Sequence, residues 1–235
     1  MSKKKLSQCY LCGIIGTGLT IEHLPPKCLS PKSADSEFAT ISACQNCNNK
    51  YSHEESKFRD FVATAGSGRG LIAADEAYGA MKRNFARNPI GRAGNPHKDL
   101  IRLIKNIKRR DFYTPSGKVY LGSSNVVTPP DDLDLEGVLL KIARGLHFLY
   151  TGAVIPDDYI KHAVLIEKIE YPELYEETNT RGRAGDFFHF RGGWAKEDIK
   201  SGLWYIVFYK KVGAMAWFLN PTAVKKTSKH KPKID

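Results

Sequence analysis

CYLCGIIGTGLTIEHLPPKCLSPKSADSEFATISACQNC, residues 9–47, opens and closes on a C-x2-C pair, with 31 residues between Cys12 and Cys44. Each pair, Cys9/Cys12 and Cys44/Cys47, brings two thiolates close enough to share one tetrahedral ion. Two such knuckles complete a four-thiolate zinc site. Four protein ligands leave no position open for substrate, so this zinc is expected to staple structure. The staple matters because the first 65 residues hold few large apolar side chains, and so small a core is marginal. Zinc supplies on the order of 10 kcal/mol in small finger peptides. The fifth cysteine, Cys28, falls in a proline-rich loop and reads as a free thiol without a role.

Working outward, GIIGTG (13–18) makes a tight turn, LTIEH (19–23) reads as a short strand, and FATIS (38–42) as a second. Ser52-His-Glu-Glu55 fits a capping box opening an amphipathic helix with Phe58, Phe61 and Val62 on one face. The order is strand, loop, strand, helix. GSGRG (66–70) reads as a hinge or loop. Beyond it, LIAADEAYGAMKRNFAR predicts a helix, and HKDLIRLIKNIKRR a basic helix with Leu100, Leu103, Ile104 and Ile107 on its apolar stripe. TPSGKVYLG predicts a turn and strand. DLDLEGVLLKIARGLHFLYTG carries Leu135, Val138, Leu139, Ile142, Leu146 and Leu149 at helical spacing and predicts a core helix, with His147 packed on it or at the surface. The aromatic, alternating remainder predicts a small antiparallel sheet.

The chain of 235 residues is 42% hydrophobic, as a globular protein with a core should be, and its net charge of +11 favours an anionic partner such as nucleic acid. The charge is segregated. Residues 82–118 hold eleven basic side chains against Asp99 and Asp111, residues 131–177 hold eleven acids against four bases, and the end from Lys225 is basic again. Separation on this scale predicts a positive face. MSKKKLSQ lacks the apolar run of a secretory signal, and Lys210-Lys211 breaks the longest apolar stretch. No membrane span is expected, and the cytoplasm is the default compartment, where paired cysteines bind metal more often than they form disulfides.

Several catalytic motifs fail on spacing. His53-Glu54-Glu55 has the H-x-E of zinc deaminases, but their C-x-x-C follows the histidine and here Cys44 and Cys47 precede it. Lys57 stands where H-E-x-x-H needs its second histidine, and GIIGTG lacks the dinucleotide-loop spacing. What remains, Cys9-x-x-Cys12, Glu22-His23-Leu-Pro25, Cys44-x-x-Cys47-Asn48 and Lys50, resembles the zinc-knuckled HNH endonucleases (the ββα-metal type) over residues 9–62.

The resemblance implies a chemistry. Phosphodiester hydrolysis needs a water nucleophile, a base and a cation to neutralise charge at the phosphate, and histidine suits the base because it titrates near neutral pH. By resemblance His23 is the general base, and Glu22 and Asn48 hold a catalytic Mg2+ or Mn2+. His53 and Glu55 are further candidate ligands. Adjacent strand residues point to opposite faces, so Pro25-Pro26 is expected to end the strand and let Glu22 and His23 share one cleft. The family's middle Asn has no clear counterpart, with Glu37, Ser36 and Asp35 standing nearest its place.

The expected fold class is α+β: a zinc-stapled ββα-metal module over 1–65, a mixed helical and antiparallel-β domain over 66–224 carrying the basic segment 82–118, and a basic flexible tail over 225–235. The expected function is metal-dependent DNA endonuclease, with a defence (anti-phage) or toxin effector as one setting. The alternative is a non-catalytic zinc-dependent nucleic-acid-binding protein. Double-stranded DNA is the expected partner, met by Lys50, Arg102, Lys105, Lys108, Arg109 and Arg110. Residues after 66 recognise substrate, form a homodimer or sense a regulatory protein.

Overall fold

A computed structural model describes residues 6–31, 38–68, 71–87, 98–166, 178 and 180–222, without the side chains of Asn84, Lys98, Asp99, Leu100 and Arg102. Asp35, Ser36, Glu37 and the tail from Lys225 lie outside the described residues. The fold is α+β, with helices and antiparallel sheets. Among the described residues, no helix is long and apolar enough to cross a membrane.

Strands β1 (Ser7–Gln8) and β2 (Ile15–Gly16) pair across the first cysteine pair. Cys9 N donates to Ile14 O at 2.9 Å, and Gly13 turns the chain with φ 76°, a backbone state costly for residues with a Cβ. Strands β3 (Thr20–Leu24) and β4 (Ala39–Ala43) form a second antiparallel hairpin, and a 3-10 turn over Lys27–Leu29 follows the two prolines. Helices α1 (Gln45–Lys50) and α2 (Ser52–Gly66) come next. The expected strand, strand, helix order is therefore present.

The capping box is not. Tyr51 is the N-cap without a side-chain bond, and Ser52 Oγ turns back to donate to Asn49 O at 3.0 Å. Glu55 instead faces inward, where its carboxylate accepts from the buried Lys141.

Helix α3 (Ile72–Arg87) packs on α2, and α4 (Lys98–Lys105) follows. The basic helix predicted through Arg110 stops at Lys105. Lys108, Arg109 and Arg110 lie on strand β5 (Ile107–Tyr113), which pairs with β6 (Tyr120–Val127) as a two-stranded ribbon. Helical periodicity in the apolar residues runs on to Ile107, but Asn106 ends the helix there, and Thr128 N donates to Asn106 O at 2.9 Å to close the ribbon's base.

Helix α5 (Leu135–Thr151) is the centre of the molecule. Asp134 caps it by accepting from Gly137 N, and Gly152 ends it in the left-handed conformation. Val138, Leu139, Ile142 and Leu146 are buried as predicted, while Leu149 is exposed. One side of α5 meets the five-stranded antiparallel sheet, ordered β7 (Ile160–Ile166), β11 (Val212–Leu219), β10 (Gly202–Phe208), β9 (Phe188–Trp194), β8 (Thr180–Ala184). Its other side meets the β3–β4 hairpin so closely that a Cβ on Gly145 would lie 2.9 Å from Leu24 Cδ1. The described residues before and after position 66 share one buried core running from Tyr10 and Phe58 through Leu139 to Trp204 and Phe218. The chain position near residue 66 thus marks the end of α2 and not a break in packing.

Candidate functional site

The sulfur atoms of Cys9, Cys12, Cys44 and Cys47 all lie within 4.8 Å of one another, with Cys12 and Cys44 Sγ 3.8 Å apart. Four thiolates about 2.3 Å from one zinc in a tetrahedron sit about 3.8 Å apart, so this donor set fits a structural zinc ion. Burial pushes the Cys9 thiol up, but hydrogen bonds from the backbone of Cys12, Cys44 and Leu11 outweigh it and lower it to about 7. Cys12 is raised, and burial with the neighbouring sulfurs pushes Cys47 far up, because thiolates this close repel one another unless a cation lies between them. Cys28 stands apart from this cluster: its Sγ faces Glu55 O at 3.9 Å, and burial pushes its thiol up to about 11.

The hairpin that hangs from these knuckles has two faces. Thr20, Glu22 and Leu24 point inward, each opposite an inward residue of β4 (Ala43, Ile41 and Ala39). Ile21 and His23 point outward, with Ile21 72% exposed and His23 half-buried. Strand β3 keeps its alternation through Leu24, so the prolines end it one residue too late to bring Glu22 and His23 into one cleft. That expectation is corrected.

Glu22 is buried and pairs with Lys141 from α5, which also donates to Glu55 Oε1 at 2.5 Å. The Lys141 side chain is 1% exposed. Burial alone would lower its pKa, but the two carboxylates raise it and keep it charged. Burial pushes Glu22 up, and Lys141 opposes that shift. The Tyr10 phenol, beside the same carboxylate, is pushed far up by burial and by Glu22 and Glu55. The Tyr51 ring lies 5.7 Å from Lys141 Nζ. The lysine thus occupies the position between two acids that a divalent cation would need, and Glu22 and Glu55 do not form an open site for one.

The remaining expected residues are dispersed around this cluster. Asn48 Nδ2 donates to Thr20 Oγ1 at 3.0 Å, tying α1 to β3 on the inward face. His53 is exposed on α2, so it and Glu55 lie on different sides of the helix. Lys50 is exposed, with Nζ 5.2 Å from the Tyr51 ring. Lys105, Lys108, Arg109 and Arg110 are exposed on α4 and the ribbon, and the Arg102 side chain lies outside the described residues.

Among the described residues, Glu22 Oε2, His23 Nδ1, Arg144 Nε and His189 Nε2 are buried without a hydrogen-bond partner, and of these His23 stands on the outward face of the hairpin. Its ring meets Phe38 edge-on at 5.6 Å, Phe38 leans on buried Phe187 at 6.1 Å, and His23 Nδ1 is buried with no hydrogen-bond partner among the described residues. By contrast, His147 is fully committed: Nε2 lies 2.7 Å from Ile199 O and Nδ1 accepts from Trp204 Nε1 at 3.3 Å. Burial holds its pKa below the ordinary value. A cleft of 590 Å3 opens on the sheet face away from α5, lined by Trp194, Leu203, Trp217 and Leu219. Among the described residues its lining carries Lys196 but neither an acid nor a histidine.

Reading the sequence missed Lys141 and Tyr10. A signal for the lysine existed, because position 141 sits three after Val138 and one before Ile142 within the apolar stripe of α5. The chain matches no protein-family profile, no curated protein and no solved structure.

Proposed function

We propose that this protein is an endonuclease of the HNH kind that hydrolyses phosphodiester bonds of DNA, with His23 as the general base. The observation that carries the reading is the setting of His23. A cysteine-clasped hairpin holds it on the outward face near the end of β3, braced edge-on by Phe38, with Nδ1 buried and without a hydrogen-bond partner among the described residues. An orphaned buried polar atom costs about 1–3 kcal/mol, and such costs gather where a side chain is kept for its chemistry.

In this reading the imidazole takes a proton from water as the water oxygen attacks phosphorus. The bond to the 3′ oxygen breaks with its electron pair on that oxygen, which takes a proton from solvent water, leaving a 5′-phosphate and a 3′-hydroxyl. A divalent ion, Mg2+ or Mn2+, neutralises phosphate charge in chemistry of this class. The acids expected to hold it are engaged by Lys141, so the mechanism on this chain's own residues is proton removal by His23. An effector of defence or a toxin working in the reducing cytoplasm, where four thiolates stay available to zinc, suits such an activity.

The Glu22–Lys141–Glu55 pairing favours a second reading, a zinc-dependent nucleic-acid-binding protein without catalysis. Nicking of supercoiled plasmid with Mg2+ or Mn2+ separates the two. Cutting that disappears in His23→Ala supports the nuclease, and binding without cutting under any divalent ion supports the second reading.

A further inference from the structure

The β5–β6 ribbon has little reason to exist as part of the core. All seven residues of β5 are exposed, including Phe112 at 41% and Tyr113 at 53%, and at the far end Tyr120 and Leu121 are 53% and 64% exposed. Among the described residues the ribbon is anchored through β6 against α2, Val127 packed against the core and Thr128 bonded to Asn106. An isolated two-stranded hairpin is marginally stable in water and exposes its apolar residues at a cost.

Its charge indicates what those residues meet. Residues 105–127 hold Lys105, Lys108, Arg109, Arg110 and Lys118 against a single acid, Asp111. Alternation puts Lys108, Arg110 and Phe112 on one face, across from Val126, Ser124 and Gly122. Arg109 shares the other face with Asp111 and donates from Nε to Ser123 Oγ at 2.8 Å. At the tip, Tyr113 and Tyr120 pair with ring centroids 5.5 Å apart. Three consecutive basic residues on an edge strand oppose pairing with a second copy of the ribbon, which would set like charges together.

A polyanion resolves both features. Two strands about 4.8 Å apart, with their side chains, match a major groove about 12 Å wide, and seven residues at about 3.3 Å each span roughly two-thirds of a helical turn of duplex. We propose that the β5–β6 ribbon is a groove-binding arm for double-stranded DNA. Lys108 and Arg110 meet backbone phosphates, and the Tyr113/Tyr120 tip packs against sugar and base edges. This rests on the proposed DNA-directed role and specifies the duplex as the form engaged.

Fluorescence anisotropy of zinc-loaded protein with a labelled 20-base-pair DNA duplex, without Mg2+ or Mn2+, tests it apart from cleavage. Lys108→Ala/Arg110→Ala should weaken duplex binding at least 10-fold and reduce the salt slope by about 1.8, two phosphate contacts' worth. Tyr113→Ala/Tyr120→Ala should weaken it at least 3-fold. Lys196→Ala/Lys200→Ala removes the same charge elsewhere and should change it less than 2-fold. Every substituted position except the tip pair is a solvent-facing charge, and an unchanged melting temperature verifies the fold. Duplex affinity unchanged by the ribbon variants, as a protein-docking ribbon would give, overturns the proposal. So does an equal loss in the control variant, or tighter binding of the matching single strand. A protein that binds duplex through the ribbon yet never nicks it retains the arm and loses the nuclease.

Discussion

Lys141 Nζ lies 2.5 Å from Glu55 Oε1 and pairs on its other side with Glu22, so one lysine of α5 ties together a helix and a strand of the cysteine-clasped segment. A buried charge stripped of its partner is far costlier than the pair is stabilising. Lys141→Ala leaves two buried acids facing each other and should destabilise the fold by about 3–5 kcal/mol in urea unfolding. Adding Glu22→Gln to Lys141→Ala should recover part of that loss, because it removes one of the stranded charges. Equal stability of Lys141→Ala and the natural chain would contradict the pairing.

The four-cysteine cluster predicts one zinc per chain. Cys44→Ser should abolish stoichiometric zinc by elemental analysis and melt the segment from β1 through α1, with a stability loss approaching the order of 10 kcal/mol that such sites supply. Because that segment shares its core with α5 and the sheet, the loss should spread to the near-ultraviolet signal of Trp204, buried in the same core. A variant with unchanged zinc content would remove the cluster from the account.

His147 gives the fold a signed dependence on pH. Ile199 O can only accept and Trp204 Nε1 can only donate, so the buried ring is neutral with its proton on Nε2. Burial holds its pKa below 6.5, partly offset by the bond to Ile199 and by Asp198. The unfolded chain therefore binds this proton first, and the residue's contribution is fully present above about pH 6.5 and lost as pH falls towards the folded value. The melting temperature should drop on acidification below pH 6.5, and His147→Gln, though less stable at pH 7, should show a shallower drop. An unaltered slope in that variant would assign the acid sensitivity elsewhere.

How much of this was legible depends on range. Cys9, Cys12, Cys44 and Cys47 declare themselves because two ligands of each pair are three positions apart, and the hairpin and α2 are local patterns of alternation and helical spacing. The side of the hairpin taken by Glu22 was not legible, since it is decided by Lys141, 119 positions along the chain. Once a buried lysine offers a charged partner, Glu55 leaves its expected cap and Glu22 leaves the outward face to His23. The basic run at 108–110 reads as helix by its neighbours' spacing. It is a strand because Asn106 stops α4 and the turn at 114–117 returns the chain to β6. The central helix and the sheet were legible because burial on one face leaves a periodic trace, whatever their partners.

The central claim is that His23 removes the proton from the attacking water. Its most direct test is single-turnover nicking of supercoiled plasmid by zinc-loaded protein with Mg2+ or Mn2+, comparing the natural chain with His23→Ala at matched DNA affinity and melting temperature. The account predicts a rate at least 100-fold lower in the variant, the scale of general-base catalysis, with binding retained. A His23→Ala protein that nicks as fast as the natural chain would contradict it.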